Sequence, residues 1–285
     1  MSLRIRRPVL ASLLVGLAAV AAGAGLAGEA PSAATSDAGR FVWHDLMTEN
    51  LARSQEFYGL LLGWQFQTVR ETDPKYVAIR HGGEYIGGMV AVKREDPSVP
   101  VSQWMSYIAV DDPDATVAKA KGAGARVLRE PFDAAGIARA AVIADPQGAA
   151  VGVARFTKSR PDAMPTAGGW LWMEYVATDP DAAMTFYGDV IGYQHQQVDN
   201  QGNAVYHVLS LGKPRAGLFK SPFERVRANW LPYVLVDDPA ALASRAQYLG
   251  GSIVVAPRPD LRKGTLAIIA DPAGAVIALQ KYPIP

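Results

Sequence analysis

The sequence predicts an α+β fold made of two tandem modules, each built from paired βαβββ units. Three observations predict it. Most of the chain is an internal repeat in which short motifs return at nearly one spacing. Within each copy, segments with the alternation of strands are interrupted twice by segments with helical spacing. Glycine, proline and aspartate stand between these segments, where turns and helix ends require them.

The composition excludes several classes of protein. The 285 residues include 28 Lys and Arg against 27 Asp and Glu, and this balance argues against a nucleic-acid-binding protein. A hydrophobic fraction of 49% argues against disorder. The absence of Cys excludes disulfides, thiol catalysis and Cys-ligated metals. A metal would therefore need carboxylates or the four histidines, which are His44, His81, His195 and His207.

Residues 1–30 are predicted to be an export signal. Three arginines precede an uncharged segment that is rich in Ala and Gly and ends in small residues. Cleavage is favoured over a retained membrane anchor, so we expect a periplasmic or extracellular protein. The Arg6–Arg7 pair leaves the general secretory route and the twin-arginine route both open. Residues 31–40 are predicted to be a flexible spacer.

The repeat predicts module 1 over residues 41–156 and module 2 over residues 170–283, with a Pro- and Gly-containing linker at 157–169. Two motifs return after 129 residues and three after 126, so a single small deletion separates the copies. The matched motifs are Phe57–Tyr58 with Phe186–Tyr187, Gly63–Trp64 with Gly192–Tyr193, Trp104 with Trp230, Asp111–Asp112–Pro113 with Asp237–Asp238–Pro239, and Asp145–Pro146–x–Gly148 with Asp271–Pro272–x–Gly274.

The order of elements follows from local signals in module 1. Gly63 and Gly124 are predicted to end the two helices, and Pro113 suits the first turn of the second helix. The predicted strands lie at 41–48, 65–69, 76–80, 85–92, 104–110, 126–128, 138–144 and 149–155, and the predicted helices at 51–62 and 113–123. Module 2 is expected to repeat this order.

With these motifs, both modules resemble the vicinal oxygen chelate superfamily, which includes glyoxalase I, extradiol dioxygenases and bleomycin-resistance proteins. The resemblance implies an open, U-shaped mixed sheet in each module. The tandem bacterial glyoxalase-like branch is the most similar, because its first strand reads Trp-x-Glu-Leu. This chain has Trp43–His44–Asp45–Leu46 and Trp172–Met173–Glu174–Tyr175 there, and each differs from that pattern at one position.

The resemblance also implies where a divalent metal would bind. Metal-dependent members use a His or Gln on the first strand, a His on the fifth strand and a Glu on the eighth. These positions hold Trp43, Met105 and Gly152 in module 1, and Trp172, Leu231 and Ala278 in module 2. None of these side chains is a ligand for a hard or borderline metal. We therefore predict no cofactor and expect no divalent metal at the usual positions.

The four histidines do not restore such a ligand set. His44 follows Trp43 on the same strand and is expected to face away from the cleft. His81 lies in a Gly-rich turn and His195 in a polar run, where solvated side chains are expected, and the facing of His207 stays open.

Strand alternation predicts a cleft for a small molecule, because residues two places apart share a face. The predicted ligand-binding residues are Trp43, Asp45, Met47, Met105 and Tyr107, with Trp172, Glu174, Leu231, Tyr233 and Gln280 opposite. Asp45, Glu174, Tyr107 and Tyr233 are also the candidate catalytic groups. In the alternative interpretation, each acid–tyrosine pair stabilises its own module.

Three functions stay open. We favour an exported protein that binds a small, partly apolar molecule without the usual metal site. One alternative is a glyoxalase- or dioxygenase-like enzyme that uses a non-standard metal site or Asp and Glu as acid–base groups, and another is an interaction module with a degenerate cleft. Expected partners are a small-molecule ligand, no nucleic acid, and a membrane only through an uncleaved signal. A pseudo-dimeric monomer and a homodimer both fit.

Overall fold

The computed structural model describes residues 37–72, 74–93, 102–134, 136–158, 162–198, 205–222 and 226–283. The predicted export signal and most of the predicted spacer lie outside these ranges. Within them, no helix is long and apolar enough to span a membrane.

Module 1 is one eight-stranded mixed sheet with two helices. Its strand order is β2-β3-β4-β1-β5-β8-β7-β6, so the two βαβββ units meet where β1 pairs antiparallel with β5. The elements are β1 (Phe41–Thr48), α1 (Leu51–Leu62), β2 (Gln65–Arg70), β3 (Tyr76–His81), β4 (Glu84–Ala91), β5 (Gln103–Ala109), α2 (Pro113–Gly122), β6 (Arg126–Ala134), β7 (Ala138–Ala144) and β8 (Ala150–Phe156).

Module 2 repeats this arrangement, with strand order β10-β11-β12-β9-β13-β16-β15-β14. Its elements are β9 (Trp170–Ala177), α3 (Pro180–Ile191), β10 (Gln194–Val198), β11 (Tyr206–Leu211), β12 (Lys213–Lys220), β13 (Asn229–Leu235), α4 (Pro239–Tyr248), β14 (Ser252–Val255), β15 (Leu266–Ala270) and β16 (Val276–Gln280). A short 3-10 turn, Arg262–Gly264, precedes β15. Two open mixed sheets in tandem confirm the predicted fold class.

The helices start and stop at the residues that the sequence motifs supply. Asp112, Asp179 and Asp238 each accept backbone N–H bonds of the following turn, and each is followed by a proline at the first helical position. Helices α1 and α3 end at Gly63 and Gly192, whose φ values of 71° and 87° are left-handed. These caps explain why the predicted and observed helix bounds agree closely.

Strand β6 is longer than the sequence predicts, because it extends to Ala134 rather than ending at residue 128. Two irregularities in its pairing with β7 carry the strand past Pro131. Strand β6 is at the edge of the sheet, where the missing N–H of proline removes no interior ladder bond. The proline therefore bends the strand without ending it.

Two apolar clusters join the modules, and each draws residues from both. In the first, strands β5, β7 and β8 with helix α2 pack against β9, β12 and helix α3. In the second, β1, β3 and helix α1 pack against β15, β16 and helix α4. The second βαβββ unit of module 1 thus packs on the first unit of module 2. The first unit of module 1 packs on the second unit of module 2. The helical faces of the two sheets form this interface.

The repeated motifs form a hydrogen-bond chain across the interface. The Trp104 indole N–H donates to the Tyr58 hydroxyl (3.1 Å), which donates to Oδ2 of Asp271 in the other module (3.3 Å). The other oxygen of Asp271 accepts the backbone N–H groups of Ala273 and Ala275, both at 2.9 Å. Burial raises the pKa of Asp271 above its usual range. The Asp-Pro-x-Gly turn of module 2 is thereby tied to the Phe-Tyr motif of module 1.

A matching chain of hydrogen bonds runs from module 2 to module 1. Trp230 donates to the Tyr187 hydroxyl (2.8 Å), which donates to Oδ2 of Asp145 (2.9 Å). Asp145 also accepts a bond from the Tyr175 hydroxyl (2.5 Å), a contact that module 1 does not duplicate because Leu46 stands at the corresponding place. The most visible motifs of the repeat therefore hold the two modules together.

Candidate functional site

The predicted site residues fall in two separate clusters, one on the inner face of each sheet, which we call cup 1 and cup 2. Cup 1 comprises Trp43, Asp45, Met47, Met105 and Tyr107, which pack around one apolar cluster. Cup 2 comprises Trp172, Glu174, Leu231, Tyr233 and Gln280, whose apolar members form another cluster. From strand alternation we expected the two sets to lie opposite each other. The structure instead gives each module its own set, because the helical faces lie between the sheets.

Asp45 is the polar centre of cup 1. One of its oxygens, Oδ1, accepts bonds from the Trp43 indole N–H (2.8 Å) and the Tyr76 hydroxyl (2.9 Å). The other oxygen, Oδ2, is buried and has no partner at hydrogen-bond distance and angle among the described residues, although the Tyr107 hydroxyl lies near enough to the carboxylate to lower its pKa. Asp45 is only 2% exposed. A buried carboxylate oxygen without a partner carries a desolvation cost that a bound donor would remove.

Burial controls the protonation of this group. Desolvation raises the pKa of Asp45 to about 6, although Trp43, Tyr76 and Tyr107 act in the opposite direction. Burial likewise raises the pKa of Tyr76 and Tyr107 well above 10. At neutral pH cup 1 therefore presents a mostly ionised carboxylate beside two neutral phenols.

A glycine on the neighbouring strand makes room for the tyrosine hydroxyl in each cup. A Cβ atom at Gly88 would lie 1.9 Å from the Tyr76 hydroxyl oxygen, and one at Gly217 would lie 1.8 Å from the Tyr206 hydroxyl oxygen. No side chain larger than hydrogen fits at either place while the tyrosine reaches the carboxylate. The carboxylate–tyrosine pair is therefore a repeated feature of both modules.

Glu174 occupies the same position in cup 2, but its oxygens are fully bonded. The Tyr206 hydroxyl donates to Oε1 (2.7 Å) and the Tyr233 hydroxyl donates to Oε2. The Arg262 guanidinium forms an ion pair with Oε1 and donates a second bond, of 3.1 Å, to Oε1 of Gln280. Burial alone would lower the pKa of Arg262, but Glu174 outweighs it and holds that pKa above its usual range. Cup 2 is thus closed by a side chain of the protein itself.

Arg262 reaches the cup from a left-handed turn. Arg262 and Lys263 have φ values of 46° and 54°, which are uncommon for residues other than glycine. Such a conformation persists where its surroundings determine it. Here the Thr265 hydroxyl donates to the Arg262 carbonyl (2.5 Å), and the Gln280 amide donates to Thr265. The turn, the arginine and Gln280 form one bonded unit.

Module 1 has no counterpart of this unit. Leu266 pairs with Gln280 as Ala140 pairs with Ala154, so the 126-residue spacing puts Ala154 in the place of Gln280. The same spacing puts Gly136, with φ 74°, in the place of Arg262. Cup 1 therefore has no counterpart of Arg262 or of Gln280. The Arg129 guanidinium lies at its rim, over the Phe132 ring and near enough to Tyr107 to affect the pKa of that phenol. The rim also includes partly exposed apolar side chains, namely Val69, Tyr85, Leu128, Phe132 and Phe156.

The histidines lie outside both cups. His44 faces away from cup 1. It forms a hydrogen bond with the Ser106 hydroxyl (2.8 Å) and packs against Trp170 at an interplanar angle of 31°. His81 contacts the Thr166 hydroxyl (3.2 Å). His195 and His207 lie edge to face with centroids 6.0 Å apart, and burial together with His195 lowers the pKa of His207.

The side chains at the metal positions implied by the resemblance do not suit a divalent cation. Trp43, Met105 and Gly152 meet on paired strands in cup 1, and Trp172, Leu231 and Ala278 do so in cup 2. None supplies an imidazole or carboxylate donor. Within the part of the chain that the structure describes, no group of three or more His, Asp and Glu side chains could hold a metal ion.

A further cavity of about 310 Å³ lies between the modules, apart from the cups. Its lining is mainly aliphatic, and Asp238, which borders it, already caps helix α4. The lining residues are Leu61, Leu62, Ala167, Gly168, Val236, Asp237, Asp238, Ala241 and Leu242.

Tandem modules of paired βαβββ units, each with a cup on the inner face of an open mixed sheet, define a protein of the vicinal oxygen chelate superfamily. Comparison with known families agrees, because the glyoxalase-like domain matches twice, over residues 41–154 and 171–279. The chain belongs to this glyoxalase-like family.

Relatives in sequence match this chain over nearly their whole length. The chain is 31% identical over 243 residues to CFP32 of Mycobacterium tuberculosis, whose name assigns it provisionally as a glyoxylase; the match covers 84% of this chain and 93% of CFP32. It is also 31% identical over 256 residues to the anthracycline biosynthesis protein DnrV of Streptomyces peucetius, covering 82% and 90% of the two chains.

Solved structures share the fold at low sequence identity. The Mn(II)-bound glyoxalase from Novosphingobium aromaticivorans is 14% identical with a TM-score of 0.58, and the match covers 86% of this chain and 82% of that one. The 2,2',3-trihydroxybiphenyl 1,2-dioxygenase from Sphingomonas wittichii strain RW1 is 13% identical with a TM-score of 0.59, covering 86% and 90%. At this identity the likeness concerns the fold alone.

Proposed function

We propose that this protein binds a small, partly apolar molecule in cup 1 without a metal at the usual positions of the fold. The observation that carries the proposal is Oδ2 of Asp45, a buried carboxylate oxygen without a partner inside an aromatic and aliphatic cup. A mostly apolar concave surface with few convergent polar groups is the usual form of a ligand site. Cup 2 does not qualify, because Arg262 already occupies its carboxylate.

A thermal-shift screen of aromatic and amphipathic metabolites tests this proposal, since a ligand that binds only the folded state raises the unfolding temperature. We expect hits, and crystals soaked with them should show the molecule against Trp43 and Asp45. Protein purified from its native host should carry less than about a tenth of a divalent metal per chain. Stoichiometric metal, or no hit across the panel, would contradict the proposal.

A second candidate, acid–base catalysis, is favoured by one observation. A carboxylate whose pKa is about 6 can act as a general base near neutral pH. If Asp45 abstracts a proton from a bound carbon acid, a screening hit incubated in D₂O should exchange a C–H hydrogen with the wild type and not with Asp45→Asn. Equal exchange with both proteins would remove this candidate.

Export of the mature protein is also part of the proposal. The basic start and apolar segment of residues 1–30 support it. The intact mass of protein recovered from the culture or periplasm should correspond to a chain that starts near residue 31. A mass that includes Met1 would contradict cleavage.

A further inference from the structure

The two cups contain a carboxylate at the same strand position, Asp45 in cup 1 and the one-methylene-longer Glu174 in cup 2, in different states of occupation. In cup 2 a guanidinium lies against Glu174, and this carboxylate is fully bonded. In cup 1 no Arg or Lys of the described residues forms an ion pair with Asp45, and one of its oxygens has no partner. Cup 2 therefore shows which partners this carboxylate position takes when both of its oxygens are hydrogen-bonded.

The walls around the two carboxylates match closely. Each carboxylate accepts a bond from a tyrosine on the third strand of its module, Tyr76 or Tyr206, seated over a glycine. A tyrosine on the fifth strand and a tryptophan on the first complete each set. The Arg262 guanidinium carbon lies 5.2 Å from the Tyr233 ring centroid and 6.0 Å from the Tyr206 centroid, within the range of cation–π attraction.

What differs is the source of the cation. Gly136 replaces Arg262, and a Cβ built there has nothing within 4 Å, so the route that Arg262 takes in module 2 is open at its start in module 1. Ala154 replaces Gln280, which removes the second acceptor of the guanidinium. Cup 1 has matching walls and a carboxylate but no counterpart of the Arg262 guanidinium.

We propose that cup 1 binds a ligand with a nitrogen cation, an amidine, guanidine or amine on an apolar body, which takes the place that the Arg262 guanidinium has in cup 2. This inference rests on the proposed function and names the chemical class of its ligand. The cationic end donates to Oδ2 of Asp45 between Tyr76 and Tyr107, and the apolar body contacts the rim at Tyr85 and Phe156, because the Arg129 guanidinium already lies over the Phe132 ring. A charge-assisted bond to a buried carboxylate is stronger than a neutral one. Cup 2 is closed to external ligands.

A matched pair of probes isolates the charge. Benzamidine and benzamide have nearly the same shape, but only the first is a cation. By isothermal titration at pH 7.5, we expect the wild type to bind one benzamidine per chain at least tenfold more tightly than benzamide. In Asp45→Asn this preference should fall to about twofold or less, while the benzamide affinity stays within about threefold.

Reciprocal exchange of the Arg262 and Gly136 residues locates the site. Arg262→Gly should open cup 2, so the number of benzamidine molecules bound per chain rises from one to two. Gly136→Arg should fill cup 1 and abolish binding, while the matched control Gly136→Ala, which has the same backbone strain without the guanidinium, should keep it. Circular dichroism confirms that each variant is folded before titration.

The outcomes separate this inference from the proposed function. Equal affinities for benzamidine and benzamide in wild type and in Asp45→Asn would overturn the cationic ligand class and leave metabolite binding in cup 1 intact. Unchanged stoichiometry in Arg262→Gly together with unchanged binding in Gly136→Arg would place the cation outside the cups and overturn the inference. Failure of benzamidine and of the whole metabolite panel would overturn both proposals.

Discussion

Cup 1 and cup 2 have the same framework and opposite electrostatic states. Both contain a carboxylate that accepts a bond from a tyrosine seated over a glycine. In cup 2 the carboxylate is paired with Arg262 from a turn 88 residues away, whereas in cup 1 it keeps one buried oxygen without a partner. Gly136 in place of Arg262, Ala154 in place of Gln280 and the shorter Asp45 in place of Glu174 thus separate a closed structural ion pair from a carboxylate available to a ligand.

The strongest test of this comparison is to break the ion pair of cup 2. Glu174→Gln leaves the Arg262 guanidinium without its counter-ion, and removing one member of a buried pair costs about 3–4 kcal/mol of unfolding free energy. Urea unfolding at pH 7 measures the change. A double variant that removes both Arg262 and Glu174 should lose less unfolding free energy than Glu174→Gln alone. A larger loss in the double variant would show that the ion pair is not the main contribution of these residues to stability.

The matching substitution in cup 1 should have the opposite sign at neutral pH. The folded-state pKa of Asp45 is raised from 3.8 to about 6, so the native state binds more protons than the unfolded state between these values. The stability that Asp45 contributes is therefore present below about pH 4 and lost as the pH rises through 6. Two pKa units correspond to about 2–3 kcal/mol.

Asp45→Asn removes this titration. The free energy of unfolding of Asp45→Asn minus that of the wild type should therefore increase by about 2–3 kcal/mol as the pH rises from 4 to 7. Urea titrations at pH 4, 5.5 and 7 give the difference directly. A constant difference across this range would show that Asp45 does not titrate as its burial requires.

A smaller effect tests the interface rather than the cups. Tyr58→Phe and Tyr187→Phe each remove one hydroxyl from the chains that join the modules, at about 1 kcal/mol for a buried hydrogen bond. Asp145 keeps its bond from Tyr175, so Tyr187→Phe should cost less than Tyr58→Phe. Thermal unfolding of both variants decides the order, and the reverse order would show that the longer Tyr58–Asp271 bond contributes little.

Local and repeated features could be predicted from the sequence. The alternation on β1 correctly separates Trp43 and Asp45 from His44, because successive side chains of a strand face opposite sides. The capping aspartates and the glycines after α1 and α3 gave the helix bounds. Both carboxylates and both fifth-strand tyrosines lie on the inner faces of their sheets, each set in its own module, and their role in binding stays a prediction.

Non-local features could not be predicted in the same way. Arg262 depends on a left-handed turn of residues other than glycine, which no sequence pattern indicates. The comparison of Arg262 with Gly136 at the 126-residue spacing was the available signal, as was the recurrence of Tyr76 as Tyr206 after 130 residues. The pairing of Tyr58 with Asp271 spans 213 residues, so the motifs alone did not show that they form the interface.

The shared clusters between the modules have a consequence for cooperativity. Each large cluster contains side chains of both modules, so neither module can lose its packing while the other keeps it. The chain should melt in a single transition, with equal van't Hoff and calorimetric enthalpies. Occupation of cup 1 would then protect the amides of module 2 from hydrogen exchange, although no ligand touches them.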